Sequence, residues 1–378
     1  MLYIHIPYCK GKCIYCDFYS TGFSNRKEFL KALLAELSFR GEELEECLSS
    51  IYIGGGTPSL LTADEFSWLT EKLHSFFARK GISFSDDFEF TVEVNPEDVD
   101  SEHIIAWRNA GVNRMSMGIQ SLNDAELSFL KRRHDADKAL KSLELIASKF
   151  DNYSLDFIYA IPGQTIDSLR NTLSTALQFR PPHISIYALT YEEGTPLYVL
   201  QQQGKISIAP EEVYILMDRE IPKQLNASGL ERYEISNYAL PGFRAKHNAG
   251  YWKFKPYLGL GPGASSYNGL NIRRSNKSDL KGYINHFMNP NIIGRPFYEE
   301  EVLDKTERMT ECLMVSLRCR EGVDFKVFKK NFGHDRLTAL LQKSERFVRS
   351  GDMILEENRL HLSEKGISIS DFILQSLI

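Results

Sequence analysis

The sequence predicts an α/β protein, built as a partial or complete (β/α) TIM-type barrel and followed by a smaller, mainly helical domain. Two observations carry this prediction. Short apolar runs alternate with longer segments of helical period, which is the pattern of repeated βα units around a parallel sheet. Polar or glycine-rich groups recur where these runs end, and in a parallel barrel all such ends meet on one face. The chain has 378 residues, 43% of them hydrophobic, which is enough for a core of this size.

The barrel elements follow one another in a regular order. The predicted strands are "LYIHI", "SIYIGG", "DFEFTVEVNP", "VNRMSMGIQ", "YSLDFIYAIPG" and "HISIYALT". Asn25 and Glu28 have the spacing of a capping box and predict the start of the first helix. Thr62 and Glu65 predict the start of the second helix in the same way. Further helical segments are expected over 123–148 and 165–178.

The alternation ends near residue 205. A helix is predicted over 210–227, and the tract 231–269 is predicted to be a long loop rich in glycine and aromatic residues. The last residues read as two short strands and a helix, as in a winged-helix domain. We therefore expect a barrel core over 1–205, a barrel extension over 206–279 and a C-terminal domain over 280–378.

Composition excludes several classes of protein. No apolar run approaches the ~18 residues of a membrane-spanning helix, and the opening "MLYIHIPYC" is too short and too soon polar to be a secretory signal. Three of the six cysteines fall within eight positions, unlike a disulfide framework. We therefore expect a cytoplasmic protein. The net charge is −5, and residues 301–378 carry 13 Lys/Arg against 13 Asp/Glu, so no nucleic-acid partner is expected.

A cysteine motif follows the first strand. Cys9, Cys13 and Cys16 have the spacing Cys-x3-Cys-x2-Cys, with Tyr15 before the last cysteine. Three thiolates are one ligand fewer than a four-ligand metal site or cluster needs. An iron atom with an open coordination site can bind a substrate or cofactor directly. The alternative is a structural zinc site completed by His5 or by a distant ligand.

The glycine run "GGGTPS" follows the second strand. It lacks the Gly-Lys-Ser/Thr ending of a nucleotide-binding P-loop, so a phosphate site is not favoured. On its own the run indicates a tight turn between a strand and a helix.

The cysteine motif in this context resembles the radical S-adenosylmethionine (SAM) superfamily. The resemblance implies a [4Fe–4S] cluster on Cys9, Cys13 and Cys16, whose fourth iron binds the amino and carboxylate groups of SAM and supplies the electron that yields a 5′-deoxyadenosyl radical. Gly55, Gly56 and Thr57 match the motif that brings backbone groups against the methionyl amino group.

Within that superfamily the chain resembles the coproporphyrinogen dehydrogenase branch, and in it the haem chaperones. The matching stretches include "YIHIPYCKGKCIYCDFYS", "IYIGGGTPSLL", "GVNRMSMGIQSLND" and "SLDFIYAIPGQT". The resemblance implies a SAM site formed by Tyr3, the backbone of Tyr15, Gly55, Gly56, Thr57, Glu93, Gln120, Arg132, Asp156 and Ala188. The residue types agree, since Glu93 suits the methionyl ammonium, Arg132 suits the carboxylate, and Asp156 and Gln120 suit ribose hydroxyls.

The stretch "HNAGYW" contains His247, Asn248, Tyr251 and Trp252. Imidazole is a common ligand of haem iron, and aromatic rings offer a flat apolar surface to a porphyrin. Haem binding has been linked to this stretch in the haem chaperones, so the resemblance implies a haem site at His247, Tyr251 and Trp252. The alternative is a loop in which His247 caps a backbone carbonyl and Trp252 packs on the barrel.

The sequence departs from oxygen-independent coproporphyrinogen III oxidases in two ways. Those enzymes add a fourth cysteine two positions after the third, where this chain has Phe18, and they carry an N-terminal extension. We therefore expect a haem chaperone. The alternative is that oxidase or another radical SAM enzyme acting on a tetrapyrrole. The resemblance also implies a haem-acceptor protein, an electron donor for the cluster, peripheral contact with membrane proteins, and a monomer or homodimer.

Overall fold

The computed structural model describes residues 1–22, 24–289, 291 and 295–378. Its first part alternates strands and helices, as the sequence predicts. In chain order the elements are β1 (Leu2–Ile6), α1 (Arg26–Arg40), β2 (Cys47–Gly55), α2 (Ala63–Lys80), β3 (Ser83–Val94), α3 (Ser101–Asn109), β4 (Arg114–Gln120), α4 (Asp124–Phe129), α5 (Ala136–Ala147), β5 (Tyr153–Tyr159), α6 (Ile166–Leu177), β6 (His183–Ala188) and α7 (Pro196–Gln202). All six predicted strands are present.

The next segment adds short strands to the same sheet and begins a second sheet. Its elements are α8 (Glu211–Ala227), β7 (Glu231–Arg232), β8 (Asn237–Ala239), α9 (Lys246–Trp252), β9 (Leu258–Leu260) and β10 (Ser265–Tyr267). Of these strands, β7, β8 and β9 join the same sheet, and β10 begins the second. The prediction of a long loop over 231–269 was therefore wrong. Strands of two or three residues are too short to show a period of alternation. Gly259 permits one of the close contacts here, because a Cβ at this position would lie 2.0 Å from the carbonyl oxygen of Ser265.

The main sheet has nine strands in the described residues, in the order β7-β8-β6-β5-β4-β3-β2-β1-β9. β1 to β6 pair parallel in chain order, β9 pairs parallel with β1, and β8 pairs antiparallel with β6. No closure of this sheet into a full ring is found among the described residues. The predicted α/β fold with a parallel sheet is confirmed.

The two faces of each strand have different chemistry. On β4 the side chains of Met115, Met117 and Ile119 are fully buried in the hydrophobic core. The alternate positions, Arg114, Ser116, Gly118 and Gln120, line a cavity inside the sheet. Because side chains alternate along a strand, one sequence supplies both the core and the cavity wall.

The two predicted capping boxes had different outcomes. At α2 the Thr62 side chain accepts from the backbone N–H of Glu65, and the Glu65 side chain accepts from the N–H of Thr62, as predicted. At α1 the prediction was wrong: Asn25 precedes the helix with a left-handed backbone (φ 57°) and its side chain makes no capping hydrogen bond. A capping residue normally has an extended backbone, which lets its side chain reach back to the first turn.

The C-terminal part has its own core. Its remaining elements are β11 (Ile272–Asn276), α10 (Leu280–Met288), β12 (Tyr298–Val302), α11 (Lys305–Arg318), β13 (Val323–Asp324), α12 (Phe325–Phe332), α13 (His334–Arg349), β14 (Met353–Leu355), β15 (Arg359–Leu362), α14 (Glu364–Ile367) and α15 (Ser370–Leu377). β10, β11 and β12 form one antiparallel sheet, and β13, β15 and β14 form another. The helices around the second sheet bury a separate cluster that includes Leu313, Phe328 and Phe347.

An ion pair with a buried carboxylate joins the C-terminal part to the barrel. The Glu234 side chain is fully buried and accepts from Nε of Arg318 at 2.5 Å. The same carboxylate also accepts from the backbone N–H of Ser236 and the side-chain amide of Asn237. None of the helices described is long and apolar enough to cross a membrane.

Candidate functional site: a cavity at the end of the parallel strands

A cavity of about 1080 Å³ lies inside the partial barrel. Its wall brings together twelve of the residues predicted to hold the cluster or SAM. They are Cys9, Cys13, Tyr15, Cys16, Gly55, Gly56, Thr57, Glu93, Gln120, Arg132, Asp156 and Ala188. Tyr3, His247, Tyr251 and Trp252 are not part of this wall.

The cysteine loop is closed at its base by backbone hydrogen bonds. The N–H of Cys9 donates to the carbonyl of Thr21 at 3.0 Å, and the N–H of Thr21 donates to that of Pro7 at 2.7 Å. This closure fixes the start of the loop beside the end of β1. The loop therefore presents its cysteines to the cavity from a defined position.

The surroundings of the thiols fit an iron–sulfur cluster. Nη1 of Arg132 lies 3.5 Å from Sγ of Cys13, and Oγ1 of Thr57 lies 3.6 Å from Sγ of Cys9. Hydrogen bonds and positive charge near cysteine sulfurs are the usual protein influence on such clusters. Burial raises the pKa of the Cys16 thiol, so binding of a metal there must displace its proton. In the described part of the chain we find no group of three or more His, Cys, Asp or Glu side chains placed to hold one metal ion.

His5, which the zinc alternative uses as a ligand, has both ring nitrogens engaged. Nδ1 lies 3.1 Å from the hydroxyl of Tyr3, and Nε2 lies 2.8 Å from the carbonyl oxygen of Tyr19. Burial also lowers the pKa of His5, which keeps the ring neutral. Metal ligation by His5 would require one of these hydrogen bonds to break.

The glycine run forms the predicted tight turn at the end of β2. Gly55 has φ +109°, and a Cβ there would lie 2.6 Å from the His5 ring. A Cβ on Gly56 would lie 2.6 Å from the carbonyl oxygen of Tyr8. The glycines therefore allow β2 to pass directly beside the start of the cysteine loop.

Glu93 lies beside this turn. Its carboxylate accepts from the hydroxyl of Tyr52 at 2.7 Å and from the N–H of Gly55 at 3.1 Å. Burial, with the nearby charge of Asp156, raises the pKa of Glu93 to about 7. When Glu93 loses its proton, its carboxylate is already held in place by these hydrogen bonds and can pair with a cation. The ammonium group of an amino acid is a suitable cation.

Arg132 is held in place with one donor left over. Nη2 donates to Oδ1 of Asn95 and to the carbonyl oxygen of Gly118, both at 2.8 Å. Its Nε is buried and has no hydrogen-bond partner among the described residues. An unpaired buried donor is costly, and a ligand carboxylate would satisfy it.

The position of Arg132 depends on a break in a predicted helix. The segment 123–148 divides into α4 and α5, and Lys131, between them, has φ +59°. The prediction of continuous helix over 123–148 was therefore wrong at the break between α4 and α5. The break brings the side chain of Arg132 into the cavity wall.

Gln120 and Asp156 complete this end of the cavity. Gln120 has φ +67°, which is uncommon for a residue other than glycine and is often found at functional sites. Asp156 accepts from the hydroxyls of Ser116 at 2.8 Å and Ser154 at 2.9 Å, and burial raises its pKa. Amide and carboxyl groups of this kind suit hydroxyl groups of a ligand.

His247 is a buried residue with no free ring nitrogen. Its Nδ1 lies 2.8 Å from the hydroxyl of Ser50, and its Nε2 lies 2.8 Å from the hydroxyl of Tyr251. The residue is 1% exposed, and burial lowers the pKa of the imidazole to about 3. The alternative interpretation of this stretch expected His247 to contact a backbone carbonyl. The structure instead shows contacts with these two side-chain hydroxyls.

The other residues of "HNAGYW" have different surroundings. Tyr251 lines a second cavity of about 480 Å³ together with Tyr3. The ring of Trp252 packs against the guanidinium of Arg318, 5.0 Å from the ring centroid. Asn248, in contrast, is in the wall of the large cavity.

Sequence reasoning missed much of the cavity wall, including Arg114 and part of the C-terminal domain. Arg114 is the first residue of β4 and lines the cavity. It precedes the other cavity-facing residues of that strand by two, four and six positions, so the alternation of side chains along a strand predicts that it faces the cavity. Residues 367–372 of the C-terminal domain also line the cavity. Nothing in the local sequence indicates that contact, because it depends on how two distant segments pack.

The fold and the cysteine loop define a protein of the radical SAM class. A family model described as "Radical SAM superfamily" matches residues 3–176, and one described as "HemN C-terminal domain" matches residues 303–369. A solved structure described as coproporphyrinogen III oxidase (HemN) from Escherichia coli superposes with a TM-score of 0.82 and 21% identity, over 100% of this chain and 89% of that one. At this identity the likeness concerns the fold.

Curated relatives narrow the assignment. A protein named heme chaperone HemW from Lactococcus lactis is 31% identical over 379 residues, which cover 100% of this chain and 96% of the relative. The protein of the same name from Bacillus subtilis is 34% identical over 368 residues, covering 96% and 95%. The chain belongs to the HemW family of the radical SAM superfamily.

Proposed function

We propose that this protein is a haem chaperone: it binds haem and transfers it to an acceptor protein. The observation that supports this most strongly is the identity of 31% and 34% with proteins named heme chaperone HemW over nearly the whole chain. The same proposal includes a haem-acceptor protein, an electron donor for the cluster, peripheral contact with membrane proteins and a cytoplasmic location.

In this proposal Cys9, Cys13 and Cys16 hold a [4Fe–4S] cluster, and SAM binds beside it. Bound together, the two groups supply one-electron chemistry at the cavity. Glu93 pairs with the methionyl ammonium, and Arg132 pairs with the methionyl carboxylate through its free Nε–H. The support for these roles is that the fixed carboxylate and the unpaired guanidinium donor occupy the same cavity wall as the three thiols.

The proposed haem ligand His247 needs a local rearrangement. Its Nε2 can bind iron only after the hydroxyl of Tyr251, 2.8 Å away, moves aside. Nδ1 would keep its contact with Ser50 and so hold the ring in one orientation. The expected role of Tyr251 and Trp252 is to supply apolar surface beside the porphyrin.

The alternative function is oxygen-independent coproporphyrinogen III oxidase. The folds are alike, and the C-terminal domain matches the HemN model. Phe18 is 67% exposed and lines the cavity at the position where the oxidases carry their fourth cysteine. That replacement favours the chaperone.

The deciding experiment uses anaerobically reconstituted protein. We expect it to bind about one haem per chain, with a Soret band that His247→Ala alters, and to leave coproporphyrinogen III unchanged when SAM and a reductant are supplied. Tyr251→Phe is the matched control, because it removes the competing hydroxyl and keeps His247, so its Soret band should stay close to wild type. Turnover of coproporphyrinogen III with formation of 5′-deoxyadenosine would refute the chaperone proposal.

A further inference from the structure

A buried arginine in the cavity wall has no assigned function. The Arg114 residue is 2% exposed and lines the cavity from the first position of β4. Its Nε is buried without a hydrogen-bond partner, and the nearest carboxylate oxygen, Oε2 of Glu89, lies 4.0 Å away. An arginine carries five N–H donors, and among the described residues the Nε–H of this buried guanidinium is unpaired.

The carboxylates near Arg114 already have other donors. Glu89 accepts from the backbone N–H groups of Lys246 at 2.8 Å and His247 at 3.1 Å, at the start of α9. Asp156 accepts from two serine hydroxyls. These carboxylates therefore provide electrostatic attraction to Arg114 without a hydrogen bond. Burying a charged guanidinium with an unpaired donor is unfavourable unless a ligand supplies the missing acceptor.

The segment that donates to Glu89 supplies a second polar side chain of the cavity wall. Asn248 follows His247, whose backbone N–H donates to Glu89, and Asn248 is in the wall of the same cavity. Its amide can donate a hydrogen bond to the same ligand group that pairs with Arg114. The planar guanidinium favours an acceptor with two parallel oxygens.

We infer that Arg114, assisted by Asn248, forms a binding site for a carboxylate group of a ligand at the inner end of the cavity. Arg114 is six residues before Gln120 on β4, which at ~3.3 Å per residue places their Cα atoms roughly 20 Å apart. Arg132 donates to the carbonyl oxygen of Gly118, four residues after Arg114, so the two arginines meet β4 roughly 13 Å apart. This inference rests on the proposed function for its favoured ligand, a tetrapyrrole, whose propionate groups are carboxylates.

Neutralising the ligand carboxylates tests this site. Haem and haem dimethyl ester are titrated into wild type, Arg114→Gln, Arg114→Lys and Asn248→Ala under the same solvent conditions. We expect wild type to bind haem about tenfold more tightly than its ester, and Arg114→Gln to lose that preference by weakening haem alone. Arg114→Lys should keep part of the preference, and Asn248→Ala should reduce it about threefold. The exposed Arg170→Gln and Asn226→Ala are matched controls with unchanged preference.

A second titration with SAM identifies the source of the carboxylate. A loss of SAM affinity in Arg114→Gln, with the haem preference intact, assigns the site to the methionyl carboxylate. If Arg114→Gln does not fold, judged by circular dichroism and melting, Arg114→Lys and Asn248→Ala give the answer. Unchanged haem preference together with unchanged SAM affinity in the folded variants would overturn the inference. Failure of wild type to bind haem at all would instead overturn the proposed function, and the SAM titration would still test Arg114.

Discussion

Nη1 of Arg132 lies 3.5 Å from Sγ of Cys13, although the two residues are 119 positions apart in the chain. The guanidinium also donates hydrogen bonds to the side chain of Asn95 and to the carbonyl oxygen of Gly118. One side chain thus connects the cysteine loop to β4 and to the segment after β3. This contact links the proposed cluster site to the proposed site for the methionyl carboxylate.

Replacing Arg132 with lysine should weaken SAM binding. A lysine ammonium cannot keep the contacts to Asn95 and Gly118 and also meet a carboxylate with parallel hydrogen bonds. We expect SAM affinity to fall about tenfold or more, measured by equilibrium dialysis on reconstituted protein. The neighbouring Arg133→Lys is the control, since Arg133 pairs with Glu97 and Asp98. Equal losses in the two variants would contradict the role given to Arg132.

Glu93 predicts a pH dependence. Its pKa is about 7 in the folded chain against the ordinary 4.5. Between these values the folded chain keeps a proton that the unfolded chain has released, so this group makes the free energy of unfolding fall as pH rises. A methionyl ammonium pairs with the ionised carboxylate, so SAM affinity should rise with pH up to about 7 and then level off.

The variant Glu93→Gln isolates this group. Glutamine can still accept from the Tyr52 hydroxyl but does not titrate, so the share of both pH slopes that comes from Glu93 should be lost and each slope should become shallower. Denaturant unfolding and SAM titration from pH 5 to pH 8 provide the measurements. Slopes as steep in Glu93→Gln as in wild type would contradict the role given to Glu93.

The glycine turn should be needed for cluster binding. A Cβ on Gly56 would lie 2.6 Å from the carbonyl oxygen of Tyr8 and 3.0 Å from that of Ile6. Gly56→Ala should push the cysteine loop away from β2, cost about 1–3 kcal/mol in stability and lower the iron content per chain.

Gly163→Ala provides the comparison for Gly56→Ala. Gly163 has φ +81° and open space around its Cβ position, so its cost of about 1–2 kcal/mol comes from backbone strain alone. Iron content should be normal in this variant. If both variants lose iron equally, the contact at Gly56 is not the cause.

The ion pair at Glu234 should hold the C-terminal part against the barrel. Glu234→Ala leaves Arg318 and two amide donors without their acceptor, which should cost about 1–3 kcal/mol, chiefly through the unpaired amide donors. Glu321→Ala removes a pair with Arg244 in which both side chains are about half exposed, and it should cost less than ~1 kcal/mol. Urea unfolding and limited proteolysis compare the two. Similar stabilities would show that the pair at Glu234 contributes little.

Local patterns predicted the six parallel strands β1 to β6 and the cysteine loop, because each depends on residues close together in the chain. The alternation of Met115, Ser116 and Met117 shows this on β4, where one face packs on helices and the other lines the cavity. The surroundings of His247 could not be predicted in this way. Its contacts with Ser50 and Tyr52 join residues almost 200 positions apart, and only the folded chain brings them together.

The most direct test of the account concerns the three cysteines. Protein reconstituted without oxygen should contain about four iron and four sulfide per chain, and the spectrum of the reduced cluster should change when SAM is added. Alanine variants of Cys9, Cys13 and Cys16 should lose the iron, whereas Cys47→Ala, at an exposed cysteine, should keep it. Zinc in place of iron, or a cluster spectrum that SAM does not change, would contradict the account.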